Sequence, residues 1–193
     1  VVVKELNAVE GVRFTQGSKL LVDNIATGTH LLVAAIERNG GVVVGMTNTP
    51  EFGAGSNTFN DIYGATLNPF DTRRTAGGSS GGSSVALASG QAWLAVGNDL
   101  GGSLRIPASF CSVVGFRPSP GLLDQGDDAT TGELHVITGP MARTVTDLGL
   151  MLDAMGAVKP PPVSGESWLA VGQATEPPSC TLRIMWTSTL GGT

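Results

Sequence analysis

Trp93-Leu94-Ala95-Val96-Gly97-Asn98-Asp99-Leu100-Gly101-Gly102-Ser103-Leu104-Arg105-Ile106-Pro107 is the stretch on which the fold turns. Trp93 to Val96 is a short, mostly apolar run and reads as a strand. Asp99 to Ser103 is a Gly-rich turn that leads into a short helix. A serine straight after two glycines at such a junction exposes its Oγ while successive backbone N–H groups point inward together. An oxyanion hole requires that arrangement. An ordinary helix N-cap gives the same residues, and on this stretch alone it is the plainer reading.

Working outward, Gly77-Gly78-Ser79-Ser80-Gly81-Gly82-Ser83-Ser84 admits three readings. It lacks the Lys of GxxxxGK[ST] and the spacing of GxGxxG, which sets aside phosphate and dinucleotide loops. A strained segment presenting serine hydroxyls inside a site is possible chemistry, but taken alone the tract reads best as a flexible linker. It runs directly into Val85-Ala86-Leu87-Ala88, and residues from Ser83 to Ala88 suit a tightly packed helix.

Val1 to Val3 reads as the end of a buried strand that delivers Lys4. A helix is expected over Thr29 to Arg38, closing on Gly40-Gly41, then a strand over Val42-Val43-Val44, and mostly loop from Asn48 to Thr75. Thr144 to Met155 is the clearest helix. Thr144-x-x-Asp147 makes a start like a capping box, and Leu148, Met151, Leu152 and Met155 line one face. Pro160-Pro161-Pro162, Gly165, Pro177 and Pro178 mark an irregular connection, after which Leu182 to Trp186 starts a strand. Strands alternating with helices predict an α/β layered fold.

The totals narrow the function. Of 193 residues, 28 are glycine, and only 14% are charged against 41% hydrophobic. The net charge of −5 excludes a nucleic-acid surface, and Arg73-Arg74 is the only adjacent basic pair. No apolar run approaches the roughly 18 residues that span a bilayer. Cys111 and Cys180 show no CxxC spacing and read as reduced thiols, which suits a cytoplasmic setting. His30 and His135 are too few and too separated for a metal site. The chain opens on Val1 instead of Met, so it is expected to begin inside a larger protein.

A serine nucleophile needs a base. His30 reads as a surface or capping residue, and His135, between Leu134 and Val136, has no turn signal. The lysines are Lys4, Lys19 and Lys159. Lys19 and Lys159 sit beside polar or proline-rich segments and should be solvated. Lys4 follows three valines, and desolvation by the sheet would leave a neutral amine able to accept a proton. A strand-end lysine reaching water is the competing reading.

Taken together, these residues resemble the amidase-signature family. The match includes Val3-Lys4-Glu5, Gly45-Met46-Thr47-Asn48, Pro50-Glu51-Phe52, Tyr63-Gly64, Asn68-Pro69 and the 77–82 tract. It continues through Asp99-x-Gly101-Gly102-Ser103-x-Arg105-x-Pro107 and Gly115-Phe116-Arg117-Pro118 to Gly139-Pro140-Met141-Ala142-Arg143-Thr144-Val145-x-Asp147. The resemblance implies a mixed β-sheet flanked by helices on both faces. Residues 1–158 would be the central part of the catalytic core, 159–181 a Pro/Gly-rich connection, and 182–193 the start of the next strand of the same domain.

It also implies an amidase with a Ser–Ser–Lys triad and no cofactor. Ser103 would attack the carbonyl and form an acyl-enzyme. Ser79, on a cis peptide bond from Gly78, would relay protons to a neutral Lys4. Backbone N–H groups of Leu100, Gly101, Gly102 and Ser103 would hold the oxyanion, and Ser80, Asp99 and Arg105 would form the supporting shell. Glu5 replaces the more usual Asp, and Asn98 stands where a small or hydroxyl residue is more common. Such enzymes are usually much longer. The expected partner is a small-molecule amide, with a homo-oligomer possible. Two alternatives stand beside this reading. One is the glutaminase subunit of a tRNA-dependent amidotransferase, whose members usually carry Gln where this chain has Ile106. The other is an inactive fragment of an amidase.

Overall fold

The computed structural model describes residues 1–126, 136–156 and 167–174. His135, Lys159, Pro160-Pro161-Pro162, Cys180 and the Leu182–Trp186 strand expected from the sequence lie outside the described residues.

Strand β1 (Val2–Lys4) is followed by helix α1 (Leu31–Arg38) and strand β2 (Gly45–Thr47). A small hairpin, β3 (Phe59–Asn60) and β4 (Gly64–Ala65), precedes α2 (Gly81–Ala88), β5 (Leu94–Asp99), α3 (Arg105–Phe110) and β6 (Val114–Gly115). Strand β7 (Ile137–Ala142) and helices α4 (Val145–Ala154) and α5 (Trp168–Gln173) complete the described elements.

The main sheet runs β2-β1-β5-β7-β6. β1 is parallel to both β2 and β5, while β7 is antiparallel to β5 and β6, so the sheet is mixed. Alternate residues of β1 and β5 face opposite ways. Val3 and Val96 join Leu32, Val33 and Ile36 of α1 and Met151, Leu152 and Met155 at the α4 end in one core cluster. Val2 and Ala95 join Ala86 and Leu87 of α2, Leu104 at the start of α3 and Ala108 within it in a second. Helices therefore cover both faces. Each aliphatic side chain so buried contributes about 1.5–3 kcal/mol, and the two clusters clamp the middle strands that carry Lys4 and Asp99.

The expected strand at Val42–Val44 is displaced. Val42 and Val44 are exposed, and the ladder begins with Val2 opposite Gly45, so pairing and burial set in only after the apolar run. Helix α2 starts at Gly81 instead of Ser83. Thr144 caps α4 as expected: its Oγ1 accepts from Asp147 N at 3.0 Å and donates to the Asp147 carboxylate at 2.8 Å. The irregular connection expected after Lys159 contains α5, whose first N–H groups, from Trp168 and Leu169, donate to Asp153 at 2.8 and 2.9 Å. That acidic anchor on α4 is distant in sequence, which is why local composition suggests only a linker.

Candidate active site

Lys4 ends β1, between β2 and β5, with no exposed surface. Its Nζ lies 2.7 Å from Ser79 Oγ and 2.6 Å from Asn98 Oδ1. The strand-end lysine reaching water is thus set aside. Burial brings the Lys4 pKa down to about 7, against which the nearby Asp99 carboxylate pulls upward. Close to neutrality, a substantial share of the amine is unprotonated.

Ser79 follows a cis peptide bond from Gly78. Residues 76–81 are buried, which rules out a solvated linker. Thr58, itself buried, stitches the tract: its hydroxyl donates to Gly77 O at 2.9 Å and accepts from Gly81 N at 3.0 Å. Sequence reasoning misses Thr58 because it lies in the segment read as loop. Ser80 N donates to Ser103 O at 3.2 Å, and Ser80 Oγ to Asn98 O at 3.3 Å. These two bonds tie the serine tract to the 98–103 turn.

Asp99 organises that turn. Its fully buried carboxylate accepts from Gly102 N at 2.7 Å, Leu104 N at 3.1 Å, and Arg105 Nε and Nη2 at 2.9 and 3.1 Å. Burial alone would raise its pKa, but the Arg105 hydrogen bonds and the two backbone amides outweigh burial and bring it down to about 2. Arg117 adds a second cation, with Nε 3.7 Å from the carboxylate and 3.4 Å from Asp99 O. Nothing in the sequence assigns Arg117 a chemical role. Of the residues expected to form a supporting shell, Ser80 bonds to the backbone of Ser103 and Asn98, Asp99 holds the turn, and Arg105 pairs with Asp99.

One expected oxyanion donor needs correction. The Gly102 N–H is already donated to Asp99, because the tight turn aims it at the carboxylate that holds the turn together. Leu100, Gly101 and Ser103 amides have no acceptor among the described residues. Ser103 is half-buried, and its Oγ likewise has no hydrogen-bond partner among them. A reachable hydroxyl beside unengaged amides can meet a carbonyl carbon and its oxygen together. Asn98, which stands out in the sequence only as a departure, proves to be a direct neighbour of Lys4.

The remaining candidates fall elsewhere. His30 caps α1 through Nδ1, accepting from Leu32 N at 3.3 Å. Lys19 is exposed and pairs with Asp61 at 2.8 Å. Cys111 is a buried free thiol whose pKa burial pushes up to about 11. Among the described residues no cluster of His, Cys, Asp and Glu could hold a metal, and no helix is long and apolar enough to cross a membrane.

A family model described as Amidase matches residues 1–168. The chain belongs to the amidase family. It is 42% identical over 191 residues to an acylamidase of Rhodococcus erythropolis, covering 98% of this chain and 40% of that one. Another relative is a component of the Glutamyl-tRNA(Gln) amidotransferase of Thermus thermophilus. The two are 45% identical over 161 residues, covering 83% of this chain and 34% of that protein. Among solved amidase-family neighbours, 6-aminohexanoate cyclic dimer hydrolase complexed with substrate gives a TM-score of 0.77 at 34% identity. That superposition covers 82% of this chain and 34% of the hydrolase. The chain spans well under half the length of the relatives it matches.

Proposed function

We propose that the protein hydrolyses a carboxamide C–N bond through Ser103, Ser79 and Lys4, with an acyl-enzyme intermediate. The observation that carries this reading is the 2.7 Å separation of Lys4 Nζ and Ser79 Oγ at a lysine whose pKa is lowered to about 7. In the first step Ser103 Oγ bonds to the amide carbon. Its proton passes to Ser79 as the Ser79 proton passes to Lys4 Nζ. The carbonyl oxygen gains negative charge opposite the amides of Leu100, Gly101 and Ser103. The C–N bond then breaks as Lys4 returns a proton through Ser79 to the leaving nitrogen. Water, deprotonated along the same relay, attacks the ester carbon and releases the acid and Ser103.

Ile106 bears on the acyl group. Its Cδ1 would lie 2.7 Å from a side-chain carbon added at Gly102, and its Cγ2 3.4 Å from one added at Gly77. Ile106 therefore packs an apolar side chain against both glycine tracts near Ser103, and on that neighbourhood we infer an apolar acyl group in preference to a hydrogen-bonding one. The likeness to the amidotransferase component supports a second reading, a glutaminase working with partner chains. Ile106 argues against it, and so does the acylamidase match over 191 residues against 161. The setting we propose is cytoplasmic, where the buried Cys111 thiol stays reduced.

The test is covalent labelling with a fluorophosphonate, followed by an amide panel. Labelling at Ser103 that disappears in Ser103→Ala, with ammonia released from apolar acyl amides in preference to glutamine, is expected. Persistent labelling of the alanine variant would remove Ser103 from the mechanism, and preference for glutamine would favour the second reading.

A further inference from the structure

We propose that Asn98 is a positioning residue for the Lys4 amine: its carboxamide oxygen holds one N–H of Nζ and leaves Ser79 as the group that meets the lone pair. This rests on the Ser103–Ser79–Lys4 reading given above.

Among the described residues Lys4 Nζ has two partners, Ser79 Oγ at 2.7 Å and Asn98 Oδ1 at 2.6 Å, and all three side chains are buried. A neutral amine carries two N–H groups and one lone pair, and it turns about a single bond. A carboxamide oxygen has no proton, so it can only accept. The orientation that aims the lone pair at residue 98 is therefore unfavourable, and among the described residues the one O–H bonded to Nζ is that of Ser79. A hydroxyl at position 98 could donate to the lone pair and compete with Ser79. The carboxamide oxygen cannot.

Asn98 is itself held in place. It lies in β5 opposite Thr138 of β7, and its carbonyl accepts from Ser80 Oγ. Its dipole also stabilises the ammonium formed after proton transfer without adding a full negative charge. The charged surroundings make that distinction count. On β5 the Asp99 carboxylate acts on Lys4 and is neutralised by Arg105 and Arg117. On β1's own continuation the Glu5 carboxylate is turned onto Thr15 and Tyr63. Neither β2, α2 nor β7 carries a titratable side chain. Glu51, in the short 3-10 helix Glu51–Gly53 whose Gly53 lies near Ser79, is exposed. A carboxylate at position 98, with no such cations beside it, would hold Lys4 protonated.

The experiment is the rate of fluorophosphonate labelling at Ser103 as a function of pH in wild type, Asn98→Asp and Asn98→Ala. Asn98→Asp matches Asn in shape and should move the rising limb to higher pH by about one unit or more while keeping the high-pH plateau. Asn98→Ala removes an acceptor of the ammonium, so its limb should move to lower pH. Its plateau should fall on the order of tenfold, because the lone pair is no longer directed. The position of a limb does not depend on how much protein folds, so partial misfolding leaves the readout intact. Limbs that stay at the wild-type position in both variants, with or without a uniform drop in rate, would overturn the proposal while leaving the triad standing. A wild type that is not labelled at all would overturn the triad and this inference with it.

Discussion

Lys4 Nζ and Ser79 Oγ face each other at 2.7 Å, although they lie 75 residues apart: one at the end of β1, the other in the loop ahead of α2. The contact joins a group that burial makes easy to deprotonate to a hydroxyl that can pass the proton on. Its consequences for activity and for stability have different pH signatures, and the two can be measured separately.

Activity should rise with pH along a limb near pH 7, because Lys4, with its pKa lowered to about 7, acts as the neutral amine. The limb belongs to the coupled Lys4–Ser79 pair. Lys4→Ala should remove the limb and reduce kcat by several orders of magnitude. His30→Ala and His135→Ala should leave its position unchanged. Steady-state rates across pH for the three variants check this, and a limb lost with either histidine would transfer the base role to it.

The same lowered pKa makes a prediction about folding. The unfolded lysine titrates near 10.5 and the folded one near 7, so between these values the unfolded chain binds one more proton. Wild-type stability should therefore rise with pH across that window, by about 1.4 kcal/mol per unit where the difference is complete. Below pH 7 both states are charged and the full burial penalty is present. Above 10.5 it is gone. Lys4→Met should lack this slope. Urea melts of both proteins at several pH values between 7 and 10 give the comparison, and equal slopes would show that Lys4 is not desolvated.

Much of this site is legible in the sequence, and for identifiable reasons. Three β-branched residues before Lys4 announce a strand buried on both faces, and the Gly-Gly-Ser turn after Asp99 announces exposed amides. The periodic apolar face of α4 is equally plain. What escapes the sequence depends on distant partners. Asp153 anchors α5, Thr58 closes onto the serine tract, and Asn98 meets Lys4, each across a separation that no local pattern encodes. The Gly102 amide counts as a free donor on sequence grounds because a turn's glycines look alike there. Only the geometry shows which N–H the Asp99 carboxylate takes.

Asp99 should govern both the turn and the acid limit of stability. Its pKa falls from 3.8 to about 2 on folding, so its contribution is complete above 3.8 and is lost as pH drops toward 2. Asp99→Ala strands the amides of Gly102 and Leu104 and should cost about 2–4 kcal/mol. Asp99→Asn keeps one acceptor and should cost less. Both should slow fluorophosphonate labelling of Ser103, because the turn no longer has a fixed geometry. Chemical denaturation beside labelling rates separates the two effects, and normal labelling by a stably folded Asp99→Ala protein would show that the turn holds itself.

Gly97 offers a test of how closely the two serine-bearing segments must approach. It lies in β5 between Val96 and Asn98. A side-chain carbon there would fall 2.7 Å from Leu104 Cδ2, 2.8 Å from Ser80 Oγ and 3.1 Å from Ser80 Cβ. Leu104 is fully buried, so turning its methyl away carries it into its neighbours. Ser80 cannot move alone either, because its N–H holds the Ser103 carbonyl and its hydroxyl holds Asn98. Gly97→Ala should therefore destabilise the protein by about 1–3 kcal/mol through overpacking and should also lower kcat. Gly90→Ala is the control. Gly90 sits in an exposed turn at φ +75 with nothing within 4 Å of the added carbon, so the substitution strains only the backbone. It should cost about 1 kcal/mol and leave kcat unchanged. Thermal melts paired with amide turnover distinguish the two. Equal stability losses with full activity in both would show that Ser80 and Ser103 tolerate separation.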